Sequence, residues 1–177
     1  MRRMQDLTSA NTAGIELSQA QLSYARESLG LTVERDISAL PERFLEGVDL
    51  MVCFEVIEHI SDPIDFLRDY TQRLRPGGTL VLATDNFSSL PVRTMGDSFP
   101  KWIPHQHISL FDPASLEKSL TRAGLEVSDR ISFTPWELLL RALVYRASMC
   151  RVGGRRFDLA SELRTENSRS FAAFRAR

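Results

Sequence analysis

Several features that mark well-known protein classes are absent from this sequence or scarce in it. Its 177 residues include only two cysteines, Cys53 and Cys150, which are too few for a disulfide framework or a zinc cluster. Its 22 basic residues are balanced by 23 acidic ones, and the net charge of −1 does not favour a nucleic-acid partner. The longest apolar stretch, 136–149, carries two arginines and is shorter than the ~20 residues that a membrane span requires.

The amino terminus also lacks the apolar segment that a secretory signal places behind its charged start. We therefore expect a cytoplasmic protein without a transmembrane segment. Apolar residues make up 43% of the chain and charged residues 25%, which is typical of a globular protein. Because ~100–200 residues is the usual size of one domain, we expect residues 1–177 to form a single domain.

Short β-branched runs alternate with amphipathic helical patterns along the chain, and this alternation predicts an α/β fold. Strands are expected at 12–17, 31–36, 48–54, 79–84, 125–133 and 168–175, and helices at 18–29, 63–74, 113–123 and 136–149. The run 48–54 is almost wholly apolar, which predicts a strand buried on both faces. Such strand–helix–strand units predict a doubly wound sheet that binds ligands at the carboxyl ends of its strands.

Local signals mark where several of these elements begin and end. Ser18 and Gln21 predict a capping box, and Gly30 suits the position that follows the same helix. Asp62 and Asp112, each followed by proline, predict two further helix starts. The run Arg75-Pro76-Gly77-Gly78 predicts a turn before the next strand.

Acidic residues lie at the carboxyl ends of the first two predicted strands. Glu16 can accept both hydroxyls of a ribose, a device that NAD and S-adenosylmethionine proteins share, or it is an exposed strand-end acid. Asp36 suits an exocyclic amine such as adenine N6, or it forms a turn. A nicotinamide enzyme is disfavoured, because the chain contains no G-x-G-x-x-G motif.

Two later segments leave more than one interpretation open. The segment 99–105 combines aromatic residues and prolines, which suits an acceptor pocket or a cap over the core. The helix 136–149 is apolar nearly all round, which suits a lid, a dimer surface or a lipid contact, although core burial is the simplest expectation. The polar stretch 151–167 is expected to form a loop with a helical turn.

Four motifs occur in a fixed order between residues 12 and 130. They are Gly14-Ile15-Glu16-Leu17-Ser18, the stretch from Cys53 to Pro63, the stretch from Arg73 to Leu82, and His107-Ile108-Ser109-Leu110-Phe111 with the helix after it. Together they resemble the class I S-adenosylmethionine-dependent methyltransferases. This resemblance implies a Rossmann-like methyltransferase sheet that is mostly parallel, with an antiparallel strand at the carboxyl terminus.

The sequence departs from that family at its amino terminus. The family's first strand runs into a glycine-rich loop, whereas residues 1–11 contain no glycine and no apolar run. We therefore expect a domain that is truncated relative to the family and lacks the first strand. The alternative to an enzyme is a non-catalytic remnant that serves as a binding or assembly module.

The resemblance also implies roles for individual residues. Glu16 would bind the ribose of S-adenosylmethionine and Leu17 would lie against its adenine. Asp36 would bind adenine N6 with help from the backbone of Ile37. Phe54 and Glu55 would lie beside the methionine portion of the cofactor and the methyl group that is transferred. The implied reaction is methyl transfer, with oxygen favoured, to a small-molecule, sugar or lipid-linked acceptor.

A possible metal site accompanies these roles. On a helical turn Glu55, Glu58 and His59 would project from one face, where His107 or His105 could complete a divalent-ion site. The spacing resembles the metal motif of the ubiquinone-pathway O-methyltransferases and the small-RNA 2′-O-methyltransferases. Without metal, His59 or His107 is the candidate general base, since an imidazole pKa of ~6.5 suits proton removal near neutrality. A purely structural role is the alternative for each histidine.

Overall fold

A computed structural model describes residues 1–103, 105–153 and 169–176, with side chains described for 1–103 and 105–147. The helices and strands, in chain order, are α1 (Arg2–Thr8), β1 (Gly14–Ile15), α2 (Gln19–Ser23), β2 (Val33–Glu34), α3 (Glu42–Leu45), β3 (Val48–Phe54), α4 (Pro63–Thr71), β4 (Leu74–Asp85), α5 (Leu90–Met95), α6 (Pro113–Arg122), β5 (Leu125–Ile131), α7 (Trp136–Gly153) and β6 (Arg169–Ala176). The chain divides into two compact units, Met1–Val48 and Asp49–Arg177. The single domain expected from composition stays a prediction.

The first unit is built on a short parallel strand pair. Strands β1 and β2 pair Gly14 with Val33 and Ile15 with Glu34. Helix α2 continues as a π-helical turn over Tyr24–Ser28, and the chain then passes through Gly30 at a φ of 62°. Glycine adopts this left-handed conformation without steric cost, so the predicted end of the helix is confirmed.

The start of helix α2 differs from the prediction. Ser18 is its N-cap residue, but the Ser18 side chain makes no capping hydrogen bond. The Ser18 backbone N–H instead donates to Glu16 Oε1 at 2.7 Å. The predicted capping box with Gln21 is therefore wrong, because the Glu16 carboxylate already accepts the Ser18 N–H that the Gln21 side chain would have bonded.

The second unit contains a four-stranded sheet in the order β3-β4-β6-β5. Strand β6 is antiparallel to β4, with Leu82 opposite Ala172, and also to β5, with Val127 opposite Phe174. Strands β4 and β5 therefore run in the same direction on either side of β6. The predicted α/β fold and the antiparallel strand at the carboxyl terminus are confirmed.

Helices α4 and α6 begin where the sequence predicts. Asp62 accepts a hydrogen bond from the Asp65 N–H at the start of α4, and Asp112 forms a capping box with Ser115 at the start of α6. Helix α4 buries Leu67, and helix α6 buries Leu116 and Leu120. A cap residue of this kind stabilises a helix by ~1 kcal/mol, so these two helix starts are fixed locally.

Strand β3 is less buried than predicted. Its side chains Leu50, Val52 and Phe54 are 43%, 47% and 50% exposed, and they alternate along one face of the strand. Among the described residues, β3 pairs only with β4 and is an edge strand of its sheet. The expectation of a strand buried on both faces is therefore wrong for the face that carries these three residues.

Strand β4 is longer than predicted. It begins at Leu74, so the expected turn at 75–78 lies within it, although Gly77 has a φ of 77°. Arg75 Nη1 lies 2.8 Å from Asp49 Oδ1, an ion pair that joins the starts of β4 and β3. From Leu80 onward the strand is largely buried. This strand forms the centre of the second unit.

Helix α7 exposes an apolar stripe of Trp136, Leu140 and Val144, while Ala142 is buried. The expectation of complete core burial is wrong for the exposed stripe. In the part of the chain that the structure describes, no helix combines the length and apolar character that crossing a bilayer would need. Most of the predicted loop at 151–167 lies outside the described residues.

Replacing the buried Leu82 and the half-exposed Leu50 by alanine tests this difference between the two strands. We expect Leu82→Ala to lower the free energy of unfolding by about 2–5 kcal/mol, because it leaves a cavity in the core. Leu50→Ala should cost roughly 1 kcal/mol, because half of its side chain already contacts water. Urea denaturation followed by circular dichroism measures both, and equal losses would contradict the assignment of β3 as an open edge.

Candidate active site

Glu16 lies at the carboxyl end of β1, beside an open pocket of about 620 Å³ in the first unit. The pocket is lined by Gly14, Ile15, Glu16 and residues of the following helix, including Gln21 and Tyr24. Glu16 Oε1 holds the Ser18 N–H, and no described residue bonds to Oε2. A carboxylate with one oxygen fixed and the other open is suited to accept hydroxyl groups of a ligand.

The other predicted adenosine contacts in the first unit lie at chain turns. Leu17 is exposed beside Glu16 and is not among the residues that line the pocket. Asp36 caps the 3₁₀ turn Ile37–Ala39 and accepts a hydrogen bond from the Ser38 N–H at 2.8 Å. The turn-forming interpretation of Asp36 is therefore confirmed, and a ligand amine would share a carboxylate that already serves this turn.

Two strand ends bring carboxylates together in the second unit. Glu55 directly follows β3, and its N–H donates to the Ala83 carbonyl of β4 at 2.9 Å. Asp85 is the last residue of β4. Glu55 has a φ of 53°, a left-handed conformation that is uncommon for a residue with a side chain. Backbone strain of this kind concentrates at functional sites.

Lys101 connects these two carboxylates. Its Nζ lies 3.0 Å from Glu55 Oε2 and 2.6 Å from Asp85 Oδ2, and the Asp85 side chain is nearly buried. Burial alone would lower the pKa of Lys101, but the hydrogen bonds and charges of Asp85 and Glu55 outweigh it and raise that pKa. The ammonium group therefore stays charged between the strand ends.

Sequence reasoning did not single out Lys101. One signal was available, because the chain contains only two lysines, Lys101 and Lys118, among its 22 basic residues. Neither its spacing nor its neighbours in sequence point to a partner 46 residues away. The contact depends on how the segment after α5 folds back, which local patterns do not encode.

Glu58 is the most deeply buried acidic side chain of the site, with 1% of the residue exposed. Its Oε2 accepts a hydrogen bond from Thr84 Oγ1 at 2.8 Å, whereas its Oε1 has no partner among the described residues. Burial raises the pKa of Glu58, although the Thr84 hydroxyl opposes this shift. A buried carboxyl oxygen without a hydrogen-bond partner costs free energy, and binding of a proton or a ligand would remove that cost.

The two predicted catalytic histidines are neighbours. The ring centres of His59 and His107 are 4.9 Å apart. His59 Nδ1 lies 2.9 Å from the Gln106 carbonyl oxygen, a geometry that assigns the proton to Nδ1 and leaves Nε2 as the basic nitrogen. His107 Nδ1 is buried without a partner among the described residues, whereas His105 is exposed.

The structure divides the predicted metal ligands into two groups that share Glu58. Ligand atoms of Glu58, His59 and His107 lie within 4.8 Å of one another, and so do those of Glu55, Glu58 and Asp85. The helical turn is a short 3₁₀ turn over Ile57–His59, and the left-handed Glu55 precedes it. The expectation that Glu55, Glu58 and His59 share one helical face is therefore wrong at Glu55.

Aromatic side chains surround the histidines. The ring centre of Phe87 lies 5.1 Å from that of Trp102, 6.1 Å from that of Phe99 and 6.4 Å from that of His107. Phe99 is buried, whereas Trp102 is partly exposed and donates a hydrogen bond from Nε1 to the Gly96 carbonyl at 2.7 Å. The interpretation of the segment 99–105 as a cap over the core is thus confirmed for Phe99, and the acceptor pocket stays a prediction.

Cys53 lies two residues before Glu55 and is a free thiol. Burial, and after it the negative charge of Glu58, raises the pKa of the Cys53 thiol to about 12. A thiol of this pKa stays protonated near neutrality and is a poor nucleophile. Cys53 therefore belongs to the packing of β3.

Comparison with protein families matches residues 5–129 to a family model described as a methyltransferase domain. A ubiquinone biosynthesis O-methyltransferase of Rhizobium leguminosarum bv. trifolii is 35% identical over 104 residues, which cover 51% of this chain and 39% of that protein. The protein of the same name from Sinorhizobium fredii is 30% identical over 140 residues, which cover 71% of this chain and 56% of that protein. The chain thus spans about half the length of these curated relatives.

Solved structures share the fold at lower sequence identity. A phosphoethanolamine N-methyltransferase of Haemonchus contortus, in complex with S-adenosyl-L-methionine, superposes with a TM-score of 0.62 at 16% identity. The match covers 99% of this chain and 45% of that one. At this identity the likeness establishes the Rossmann-like methyltransferase fold and leaves the acceptor open.

Alkylation of Cys53 tests the electrostatics of this site. Because its thiol pKa is about 12, we expect the rate with iodoacetamide at pH 8 to be ~1,000-fold below that of an ordinary cysteine thiol of pKa ~8.5. The rate should rise about tenfold per pH unit between pH 8 and pH 10, since the thiolate is the reactive form. Mass spectrometry of the Cys53 peptide, with urea-unfolded chain as the control, measures this rate, and equal rates in folded and unfolded chain would contradict the shift.

Proposed function

This chain belongs to the class I S-adenosylmethionine-dependent methyltransferases, and we propose that the protein containing it methylates a hydroxyl oxygen of a small-molecule acceptor, which can be sugar- or lipid-linked. The observation that carries the proposal is the position of Glu16 and Glu55. Both acidic residues directly follow a strand inside the region that matches the methyltransferase domain. The names of the curated relatives support oxygen as the methylated atom.

The first unit is assigned to the adenosine portion of the cofactor. Glu16 Oε2 would accept the ribose hydroxyls, while Oε1 keeps the carboxylate oriented through the Ser18 N–H. Leu17 is exposed and free to cover one face of the adenine. Asp36, with the backbone of Ile37 beside it, would receive the adenine amine at the edge of its turn.

The second unit is assigned to the methyl-transfer chemistry. Phe54 is half-exposed at the end of β3, where its ring can lie against the methionine portion. Glu55 follows it in a conformation fixed by the Ala83 carbonyl and by Lys101. S-adenosylmethionine supplies a methyl group already activated as a sulfonium. The protein therefore mainly holds the acceptor oxygen in line with the carbon–sulfur bond, which breaks as the carbon–oxygen bond forms.

The hydroxyl proton must leave as the acceptor oxygen is methylated, and in a site without a bound metal ion a histidine is assigned to receive it. His59 Nε2 is the basic nitrogen of a ring oriented through Nδ1 by the Gln106 carbonyl. His107 lies beside it and supplies a second imidazole.

The same side chains suit a divalent metal ion. Glu58 Oε1 and His107 Nδ1 are buried polar atoms without partners among the described residues. Ligand atoms of Glu58, His59 and His107 all lie within 4.8 Å of one another. One carboxylate with two imidazoles is a donor set that binds zinc and similar ions. As the alternative to a histidine base, we therefore assign Glu58, His59 and His107 as the residues that would hold such an ion, which would polarise the acceptor hydroxyl. Glu55, the fourth ligand expected from the sequence, contacts Lys101 instead.

Titration of the protein with S-adenosylhomocysteine tests the cofactor assignment. We expect Glu16→Ala to weaken binding by about 10- to 100-fold, because charge-assisted hydrogen bonds to the ribose are lost. Glu46→Ala removes an exposed acid in the same unit and should leave the affinity unchanged. Isothermal titration calorimetry measures all three proteins. Absence of binding by the unmodified protein would favour a non-catalytic binding or assembly module.

Zinc affinity, measured by competition with a chromogenic chelator, tests the metal assignment. His107→Ala removes an assigned ligand and should weaken zinc binding more than about tenfold, the smallest loss typical even of outer-shell changes. The control is His105→Ala, since that ring is exposed two residues away. Equal affinities of the two variants would exclude His107 as a ligand.

A further inference from the structure

Three carboxylates converge where β3 and β4 end, and we call Glu55, Glu58 and Asp85 the carboxylate cluster. One oxygen from each lies within 4.8 Å of the others. An all-oxygen set of this kind is the ligand set that hard divalent cations such as Mn²⁺ and Mg²⁺ prefer. A second observation points to a ligand here, because Glu58 is 1% exposed and its Oε1 has no partner among the described residues.

A cation of the protein itself already contacts the cluster. Lys101 Nζ lies 2.6 Å from Asp85 Oδ2 and 3.0 Å from Glu55 Oε2, so one ammonium bridges two of the three carboxylates. Neighbouring carboxylates repel one another strongly in a partly buried site, and a positive charge between them offsets that repulsion. The ammonium thus occupies the electrostatic position that a metal ion would take.

The segment that carries Lys101 is itself fixed to the fold. The Phe99 N–H donates to the Gly96 carbonyl at 3.0 Å, and Trp102 Nε1 donates to the same carbonyl at 2.7 Å. The Phe99 side chain is buried and packs with Phe87. The backbone on either side of Lys101 is therefore anchored, which lowers the entropic cost of holding its side chain over the cluster.

We propose that Lys101 is a built-in cation that closes the carboxylate cluster to divalent metal ions, and that removing its charge opens a hard-cation site formed by Glu55, Glu58 and Asp85. This cluster shares Glu58 with the Glu58–His59–His107 group, but its other two members are oxygen donors held by Lys101. Lys101 thereby determines which divalent ions the strand ends accept. The proposal requires neither cofactor nor acceptor, so it stands or falls independently of methyl transfer.

Acetylation of the unmodified protein tests whether Lys101 is engaged in solution. Lys118, the other lysine of the chain, is exposed on α6 and serves as the internal reference. With limiting sulfosuccinimidyl acetate, we expect Lys101 to react at least about tenfold more slowly than Lys118, because its amine is charged and bridged by two carboxylates. Mass spectrometry measures both sites in one sample, and equal reactivity would overturn the proposal even if every variant failed to fold.

Manganese binding tests whether Lys101 excludes metal. Electron paramagnetic resonance of free Mn²⁺ should show that Lys101→Met binds the ion at least about tenfold more tightly than the unmodified protein, since a positive charge beside the cluster is removed. Lys101→Arg, which keeps the charge, and Lys118→Met, which removes one elsewhere, should bind as the unmodified protein does. Adding Glu55→Gln to Lys101→Met should abolish the gain. Circular dichroism confirms folding, and a folded Lys101→Met without tighter binding would overturn the proposal.

Discussion

Pairing of strand β4 with both β3 and β6 is the constraint on which the second unit depends. Leu80 and Leu82 are buried on this strand, and its last residues, Thr84 and Asp85, are buried as well. The buried end of β4 therefore places the polar side chains of Thr84 and Asp85 next to the end of β3. Because the chain leaves β3 through Glu55, the packing of the sheet itself determines which carboxylates meet.

Acidic groups brought together in this way must be neutralised or bonded, and the structure does so with groups distant in sequence. Thr84 serves one oxygen of Glu58, and Lys101 bridges Glu55 and Asp85. One oxygen of Glu58 remains without a partner among the described residues, beside two histidines. This oxygen favours binding of a proton or a metal ion, because a buried donor atom without a partner is energetically costly.

Much of this fold is predictable from sequence because its signals are local. Asp62, Asp112 and Gly30 mark helix ends correctly, since caps and left-handed turns depend on single residues. The open face of β3 and the exposed stripe of α7 are not predictable, because burial depends on what packs against an element. Likewise, the strand-end acids follow from topology, whereas the bridge from Lys101 depends on how a distant segment folds back.

The family and the fold place this chain among proteins that bring a sulfonium methyl group to a nucleophile, and we propose that the strand-end residues Glu16 and Glu55 contact the cofactor in that reaction. The most direct measurement is transfer of radiolabelled methyl from S-adenosylmethionine by the protein containing this chain, offered a panel of small hydroxyl acceptors that includes a catechol. The account predicts an O-methylated product formed in equal amount with S-adenosylhomocysteine. Cofactor binding without transfer to any acceptor of the panel would contradict it.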